Sequence, residues 1–465
     1  MDEHYDAAVI GTGQAGPALA NRLSQAGWKI AVIERGRFGG TCVNTGCMPT
    51  KTLVASAYAA RLAARAAEYG VVIDGHIGID MAKVKARKDA VSTTASKNIE
   101  AWLRSMPGVT VYQAHARFIS ALELAVGAER VSADKVFIDV GGRAIVPAIP
   151  GLDAVPYLTS TSILELDAVP EHLIVLGGSY IGLEFAQIFR RFGARVTVIE
   201  GAPRLVMRED EDVSDAIRDI LEREQIDIGL ESMCTRVEKT DAGVRVAIEA
   251  PTGRREIGGS HLLLAVGRRP NTDELGVDAA GVETDERGFI VTDDRLRTSV
   301  PSIWALGECN GRGAFTHTAY NDFEIVAGNL LDNDPRRASD RILTYGLFID
   351  PPLGRVGMTD REARASGRRL LAATRPMTRV GRAVERGETL GFMKVVVDAE
   401  TKRILGAAIL GIAGDEAVQC ITAAMAADVH YTTLQRTVLI HPTVSELIPT
   451  LLSGPAPLPA DKAPI

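Results

Sequence analysis

The chain has 465 residues, of which 46% are hydrophobic and 24% charged, and its net charge is −7. This length exceeds one ordinary domain, and the acidic balance without a basic run argues against a nucleic-acid partner. No apolar stretch reaches the roughly 18 residues that span a bilayer, and the acidic start at residues 1–6 is unlike a signal peptide. We expect a cytoplasmic protein without a membrane partner, whose five cysteines form no structural disulfide framework.

A nucleotide-binding unit is predicted at the start of the chain. Residues 6–10 (DAAVI) read as a buried strand, which runs into a glycine-rich loop at residues 11–16 with the spacing GxGxxG. Small residues allow the backbone to approach a diphosphate, and the N-terminus of the following helix offers it free N–H groups. A second strand ends in an acid placed to bind ribose hydroxyls. The predicted binding residues are Gly11, Gly13, Gly16 and Glu34.

The same pattern recurs 166 residues later, from Gly11 to Gly177. Strands at residues 173–176 and 195–199 flank the second loop and helix, and the one departure is a serine at the middle glycine. Two such units in register predict two dinucleotides, and hydride can pass between the stacked rings of a flavin and a nicotinamide. The alternative is two doubly wound domains whose glycines only make tight turns. The corresponding residues are Gly177, Ser179, Gly182 and Glu200.

Two cysteines five residues apart, Cys42 and Cys47, follow the first unit. On an ideal helix their Cα atoms would be about 8–9 Å apart, whereas a disulfide needs about 4.4–6.8 Å. A bond between them therefore requires a break in the helix, for which Gly46 is well placed, and Pro49 suits the first turn of the helix after it. A metal site or inert thiols are the alternatives, but neither a CxxC partner nor a histidine is nearby. We interpret the pair as redox-active.

The segment around these cysteines, residues 39–51 with the sequence GGTCVNTGCMPTK, resembles the redox motif of the class I pyridine nucleotide-disulfide oxidoreductases. This family includes glutathione reductase, lipoamide dehydrogenase and mercuric reductase. The resemblance continues through residues 267–271 (GRRPN) and 305–308 (ALGE) to residues 441–446 (HPTVSE). It implies an α/β fold with two Rossmann-like dinucleotide-binding domains, for FAD and NAD(P), and an α+β C-terminal dimerisation domain.

The resemblance also implies a role for each matching residue. Electrons would pass from the nicotinamide through FAD to the disulfide of Cys42 and Cys47, with Cys47 against the flavin and Cys42 meeting the substrate. Lys51 would pair with Glu184 near the reactive nitrogen of the flavin, and Tyr180 would gate the nicotinamide pocket. Further cofactor-binding residues would be Gly40, Thr41, Ala116, Gly267, Gly307 and Glu308.

One of these residues departs from the family pattern. Glu308 stands where the family has an aspartate that binds the ribityl chain of the flavin, and the change puts the geometry of that contact in doubt. The cysteine that follows, Cys309, is interpreted as a packed thiol.

His441 and Glu446 match a His-Pro…Glu signature of the family. Thiol exchange needs a base that holds the thiolate and protonates the leaving group, and histidine titrates near neutral pH. The glutamate would orient the imidazole ring. Taken alone, a surface histidine near a helix start would be the simpler interpretation, since Pro442 suits a first turn. In the family this pair serves the cysteines of the partner subunit, so the resemblance implies a homodimer with shared sites.

The predicted domains follow the resemblance. The FAD-binding domain is split into residues 1–150 and 272–342, with the NAD(P)-binding domain at residues 151–271 between them and the dimerisation domain at residues 343–465. The proline-rich tail, residues 454–465, predicts disorder.

The electron acceptor is less constrained. A C-terminal cysteine pair typical of mercuric reductases is missing after Cys420, and the first strand starts too early for a preceding metal-binding domain. The serine and arginine that glutathione reductases use align with Gln14 and Asn21, which argues against glutathione. Residues 178–186, 313–317 and 351–359 resemble segments of the branch of reactive-chlorine resistance flavoproteins and hypothiocyanous acid reductases, which reduce small oxidants, and for which copper ion has also been considered. A dihydrolipoamide dehydrogenase and a flavin-binding assembly subunit are the alternatives.

The coenzyme is expected to be NADH rather than NADPH. Glu200 ends the second strand of the nicotinamide unit, where an acid binds both ribose hydroxyls and repels a 2′-phosphate. Arg204 and Arg208 follow closely, and a flexible loop could bring either one to a phosphate.

Overall fold

The computed structural model of the protein describes residues 3–458, so residues 1–2 and 459–465 lie outside it. Most of the tail that was predicted to be disordered therefore lies outside the described residues. Within the described part of that tail, residues 456 and 457 pair with the strand Leu370–Pro376, in which Leu371 lies opposite Pro457.

The first part of the chain alternates strands and helices. Its apolar strands are buried on both faces, as expected where helices cover both sides of a parallel sheet. The elements are β1 Glu3–Ile10, α1 Gly16–Gln25, β2 Ile30–Ile33, α2 Gly40–Asn44, α3 Cys47–Ala64, α4 Met81–Ser105, β3 Val109–Tyr112, β4 Ala116–Phe118, β5 Glu123–Val126, β6 Glu129–Ile138 and β7 Gly142–Ala144.

The second part repeats the strand–helix–strand pattern and then adds a small antiparallel sheet. The elements are β8 His172–Leu176, α5 Tyr180–Phe192, β9 Arg195–Ile199, α6 Glu211–Arg223, β10 Asp227–Gly229, β11 Met233–Thr240, β12 Gly243–Ala250, β13 Gly253–Gly259, β14 His261–Leu264 and β15 Arg268–Pro270.

In the last part, one strand joins the first sheet and one helix packs on that unit. The remaining strands form a separate antiparallel sheet. The elements are β16 Ile303–Ala305, α7 Thr316–Ala327, β17 Thr344–Leu347, β18 Leu353–Gly357, α8 Asp360–Ala365, β19 Leu370–Pro376, α9 Gly381–Glu385, β20 Phe392–Asp398, β21 Ile404–Leu410, α10 Gly414–Ala426, α11 Tyr431–Gln435, α12 Leu447–Leu451 and β22 Ala456–Pro457.

Two of the sheets are each built around parallel strands. The first has the order β3-β2-β1-β6, extended by β5 and β4, with β16 parallel to β6, and the second has the order β10-β9-β8-β14. Ile10 pairs with Ile33 and Leu176 pairs with Ile199, so the carboxyl ends of the strands match in both copies. Because ligands of open parallel sheets bind at these ends, both sheets present a binding edge.

The C-terminal sheet is antiparallel, with the order β17-β18-β21-β20-β19-β22. Together with the two parallel sheets it confirms the predicted fold class, two Rossmann-like units and an α+β C-terminal unit. The predicted domain boundaries stay a prediction, although β16 pairs with β6 after the whole second sheet has intervened. In residues 3–458, no helix is both long enough and apolar enough to cross a membrane.

Candidate active site

The first glycine-rich loop has the backbone that a diphosphate site requires. Gly11 has φ +100°, and a Cβ there would collide with the carbonyl of Asp139. A Cβ at Gly16 would lie 2.5 Å from the carbonyl oxygen of Gly11, so this glycine lets α1 pack against the loop. The residue before α1, Ala15, provides no side-chain cap, and the N–H of Gly16 donates to the carboxylate of Asp139 beneath the loop. These features fit the diphosphate of a dinucleotide.

The second loop has the same construction with one substitution. Gly177 has φ +111°, and a Cβ at Gly182 would collide with the carbonyl of Gly177. The N-terminus of α5 again has no side-chain cap. Ser179 is tolerated here, whereas a Cβ at the corresponding Gly13 would lie 2.8 Å from the Asp139 carboxylate. The second copy has no such acid, because an alanine follows β14.

The acids at the ends of β2 and β9 are held in the same way. Glu34 accepts hydrogen bonds from the backbone N–H of Thr12 at 3.0 Å and of Gly36 at 2.8 Å. Glu200 accepts them from Gly178 at 2.5 Å and Ala202 at 2.8 Å. Each carboxylate is thus fixed beside its loop, with lone pairs left over for the hydroxyl groups of a ribose.

One cleft of about 1690 Å³ connects both loops and the cysteine pair. Two glycines predicted to bind cofactor, Gly16 and Gly182, lie beneath the loops instead of lining it. His441 and Glu446 do not line it either. The predicted residues that line the cleft are Gly11, Gly13, Glu34, Gly40, Thr41, Cys42, Cys47, Lys51, Ala116, Gly177, Ser179, Tyr180, Glu184, Glu200, Gly267, Gly307 and Glu308.

The chain between the two cysteines leaves helical geometry, as the spacing argument requires. Helix α2 ends at Asn44, and Gly46 has φ −132° and ψ −118° before α3 begins at Cys47. A Cβ at Gly46 would lie 2.9 Å from the carbonyl oxygen of Thr41. Pro49 lies in the first turn of α3, as predicted. The thiols of Cys42 and Cys47 lie close enough for each to shift the pKa of the other.

The two thiols differ in acidity. The pKa of Cys47 is lowered because the Cys42 thiol donates to it, and the hydroxyl of Thr316, 3.1 Å away, and the charge of Lys51 also favour its thiolate. The pKa of Cys42 is raised because it keeps the shared proton and is desolvated. Cys47 is also the first residue of α3, where the helix dipole favours a negative charge. Cys47 is therefore the thiolate of the reduced pair.

A lysine and a glutamate form an ion pair next to the cysteines. The Nζ atom of Lys51 lies 2.8 Å from Oε2 of Glu184 and 4.4 Å from the centroid of the Phe348 ring. The other oxygen of Glu184 accepts a hydrogen bond from the backbone N–H of Phe348 at 3.0 Å. The pair joins α3 to α5, so it links the cysteine helix to the second nucleotide unit.

Aromatic side chains surround the predicted gate. The ring of Tyr180 packs edge-on against Phe315 and Tyr345, and the Phe315 ring stacks on Tyr345 and His317. The hydroxyl of Tyr345 donates a hydrogen bond of 2.7 Å to the buried Glu209. This packing holds Tyr180 between α7 and β17, at the side of the cleft where the cysteines lie.

Glu308 forms a bidentate ion pair with Arg268, in which one N–O distance is 2.8 Å. The Nη2 atom of Arg268 also donates to the carbonyl of Gly142 at 2.7 Å. The longer side chain of glutamate thus reaches Arg268 at the start of β15. Cys309 is buried, and burial raises the pKa of its thiol. Both properties support its interpretation as a packed thiol.

His441 and Glu446 form their predicted pair, with Nδ1 of His441 2.8 Å from Oε2 of Glu446. The histidine side chain is 80% exposed and Glu446 only 15%. Two apolar neighbours, Val438 and Ile440, are exposed to 95% and 80%. Within one chain this pair is not brought to the cleft that holds Cys42 and Cys47.

Three residues of the site were not predicted. Thr316 contacts Cys47, Tyr345 packs on the gate, and Asp139 lies beneath the first loop at the end of β6. Only Asp139 had a usable signal, since it is an acid directly after an apolar strand. The other two come from segments that are distant in sequence.

We expect Thr316→Val to raise the pKa of Cys47. The substitution keeps the shape but removes a hydrogen bond to a thiolate, and a hydrogen bond to a charged group contributes about 1.5–3 kcal/mol. At a pH near the pKa of Cys47, the thiolate fraction should fall roughly tenfold, since 1.36 kcal/mol corresponds to one pKa unit. Absorbance of the thiolate in the reduced protein measures this fraction. Thr316→Ser should restore it, and an unchanged titration in Thr316→Val would contradict the assignment.

The chain matches two family models. The model described as pyridine nucleotide-disulphide oxidoreductase matches residues 5–322, and that of the dimerisation domain matches residues 344–452. The chain therefore belongs to the pyridine nucleotide-disulfide oxidoreductases, and the family predicted from the cysteine motif is confirmed. It is an oxidoreductase, and the family implies FAD and a nicotinamide coenzyme.

Individual relatives are similar over nearly the full length. The chain is 36% identical to the probable pyridine nucleotide-disulfide oxidoreductase RclA of Escherichia coli strain K12, over 97% of this chain and 99% of that protein. It is 33% identical to the mercuric reductase of Streptomyces lividans, over 96% and 94%. It is also 33% identical to dihydrolipoyl dehydrogenase 2 of Haloarcula marismortui, over 95% and 94%. The Cu(II) complex of the HOCl-induced flavoprotein disulfide reductase RclA from Escherichia coli has a TM-score of 0.88 and 35% identity, over 97% and 99%.

Proposed function

We propose that the protein passes electrons from NADH through FAD to the Cys42/Cys47 pair and on to a small oxidant, such as hypothiocyanous acid, another reactive electrophile or a metal ion. The observation that carries this proposal is the neighbouring pair of thiols, Cys42 and Cys47, which lies in one cleft with two glycine-rich loops and in which the Cys47 thiolate is stabilised. A cytoplasmic location would give the enzyme a reduced coenzyme pool.

The residues at the first loop would hold FAD. Gly11 and Gly13 would let the backbone approach the diphosphate, which would lie at the N-terminal end of α1, and Glu34 would bind the ribose. The second loop, with Gly177 and Glu200, would hold the nicotinamide coenzyme in the same way. Bound FAD would supply the redox step between a two-electron hydride donor and a dithiol. These assignments match the proposed FAD-binding residues 1–150 and 272–342 and the proposed NAD(P)-binding residues 151–271.

The side chains have separate tasks in this scheme. Cys47 keeps a thiolate, because the Cys42 thiol, Thr316 and Lys51 stabilise its charge. Cys42 keeps the proton of the pair and would attack the substrate once that proton is withdrawn. Glu184 orients the ammonium group of Lys51, and Tyr180 would shield the nicotinamide pocket from water.

We further propose that each catalytic site is completed by a second copy of the chain. Residues 344–452 match a dimerisation domain, and residues 343–465 are the proposed interface unit. His441 is paired with Glu446 but is exposed and lies away from Cys42 of its own chain. In a homodimer, the exposed Val438 and Ile440 beside it would be buried, and the imidazole could hold and return the proton of Cys42.

A panel of acceptors tests the function. The purified protein is supplied with NADH or NADPH and with hypothiocyanous acid, lipoamide, glutathione disulfide, mercuric ion or cupric ion. We expect hypothiocyanous acid to give the highest kcat/KM. A higher value with lipoamide would favour a dihydrolipoamide dehydrogenase, which the similarity to dihydrolipoyl dehydrogenases keeps as the second candidate. Absence of turnover with every acceptor would favour a flavin-binding assembly subunit, which the complete cysteine site argues against.

NADH should be preferred over NADPH by at least about tenfold in kcat/KM, because the fixed carboxylate of Glu200 would face a 2′-phosphate of like charge. Arg204 is paired with Glu211 at 2.6 Å, and Arg208 lines the cleft together with Glu200. We give the carboxylate more weight, because two backbone N–H groups fix it beside the loop. Steady-state kinetics with both coenzymes measures the ratio.

Substitutions of Glu200 separate the effect of its charge from that of its hydrogen bonds to the loop. Glu200→Ala should narrow the advantage of NADH, and Glu200→Gln should do so while keeping a hydrogen-bond acceptor for the loop. Arg204→Ala is the control and should leave the ratio unchanged. A higher kcat/KM for NADPH in the unmodified protein would refute the preference.

A further inference from the structure

Asp139 is a buried acid directly beneath the first glycine-rich loop. It follows β6, its exposure is only 6%, and its Oδ2 atom accepts a hydrogen bond from the backbone N–H of Gly16 at 2.8 Å. A Cβ at Gly13 would lie 2.8 Å from the same oxygen, and a Cβ at Gly307 would lie 3.1 Å from Oδ1. The carboxyl group therefore fills the space between the loop and the segment after β16.

The charged groups that face Asp139 disfavour a negative charge on its carboxyl group. Glu34 at the end of β2 and Asp322 on α7 both repel it electrostatically. Asp322 is itself paired with Arg341 and accepts from the N–H of Gly307 at 2.8 Å. Cys309, after β16, is a neutral thiol with a raised pKa. The N–H groups at the start of α1 are the favourable contacts, and burial outweighs them, so the pKa of Asp139 is raised to about 8.

The second loop supplies an internal comparison. The carbonyl that Gly11 approaches belongs to Asp139, and the carbonyl that Gly177 approaches belongs to Ala265. Ala265 is thus the counterpart of Asp139, and the middle residue of that loop is Ser179 instead of glycine. A dinucleotide loop of this fold does not need the acid for its backbone geometry. The acid is a property of the first site alone.

We propose that Asp139 is a positioning residue that carries a proton at neutral pH, and that in this neutral form it supports the first loop for the diphosphate of FAD. This inference rests on the proposed function, in which the first loop holds FAD. Ionisation of Asp139 would place a carboxylate under a dianionic group in a buried site, where Coulomb repulsion is screened little.

FAD affinity depends on pH because FAD binding and the protonation of Asp139 influence each other. A diphosphate adds negative charge, so the FAD-bound protein holds the proton of Asp139 more tightly than the FAD-free protein does. FAD affinity is then constant below the pKa of the free protein, about 8, and falls as the pH rises above it. The fall continues, at up to about tenfold per pH unit, until the pKa of the FAD-bound protein is reached.

The test measures FAD binding without turnover. Protein stripped of FAD is titrated with FAD from about pH 6.5 to about pH 9.5, around the pKa of about 8, and the dissociation constant is read from the quenching of flavin fluorescence. We expect a constant value up to about pH 7.5 and a rise of at least about tenfold by the upper limit. In Asp139→Asn, which keeps an acceptor for Gly16 and remains neutral, the value should be independent of pH.

A second readout and a control complete the experiment. The FAD-bound wild-type protein should show the infrared C=O stretch of a protonated carboxyl group at neutral pH, and Asp139→Asn should lack it. Asp360→Asn removes another carboxyl group whose pKa burial raises, outside the cleft, and should keep the wild-type profile. FAD binding that is independent of pH in the wild-type protein would overturn this inference alone. A protein that binds no FAD at any pH would overturn the proposed function with it.

Discussion

Cys47→Ser should abolish both the turnover of the electron acceptor and the long-wavelength charge-transfer absorbance of the protein after two-electron reduction by the nicotinamide coenzyme. The thiolate is the donor of that absorbance, and Cys47 is the thiol whose negative charge the surroundings stabilise. The purified wild-type protein should be yellow and should acquire the absorbance on reduction. The absorbance should fade as the pH falls below about 6, because protonation of Cys47 removes the donor.

Cys42→Ser is the matched variant. It also prevents a disulfide, so turnover should be lost, but the serine hydroxyl can donate in place of the Cys42 thiol, and Thr316 and Lys51 remain beside Cys47. We therefore expect a permanent thiolate and a charge-transfer band without any reductant. Absorbance spectra of both variants, before and after anaerobic reduction, decide the matter. If neither substitution altered the spectrum of the two-electron-reduced protein, the assignment of the cysteine pair would be wrong.

His441→Ala should lower the turnover of a disulfide-type substrate by roughly 100-fold or more, the usual contribution of a general acid–base group. Reduction of FAD by the nicotinamide coenzyme should be nearly unchanged, because His441 does not line the cleft of its own chain. Stopped-flow measurement separates the two half-reactions. His430→Ala, at another exposed histidine of the C-terminal unit, is the control and should keep full turnover.

Mixed dimers test whether the site is shared between subunits. A dimer of one His441→Ala chain and one Cys42→Ser chain would keep one complete site, made of an intact cysteine pair and the histidine of the other chain. Mixing the two inactive variants should therefore restore part of the activity. Subunit exchange is verified with tagged chains, and no recovery after verified exchange would rule out a shared site.

Features encoded over short distances could be predicted from the sequence. The two glycine-rich loops were found from their spacing and from the acids that follow, because a strand, a turn and a helix N-terminus are local structures. The break at Gly46 followed from helix geometry, and the pair of His441 and Glu446 spans only five residues. The resemblance supplied one long-range contact, between Lys51 and Glu184, which the structure contains.

The tertiary structure decided the contacts between distant segments. Asp139 reaches the first loop across 123 residues, and Thr316 reaches Cys47 across 269. The sequence predicted that Glu308 contacts the ribityl chain, and the structure adds an ion pair between Glu308 and Arg268 of β15. The loops, the cysteine motif and the family were thus determined by the sequence alone, because neighbours along the chain set local backbone geometry. The directions in which the pKa values of Cys47 and Asp139 are shifted depend on the fold, because burial and the charges packed around a group set its pKa.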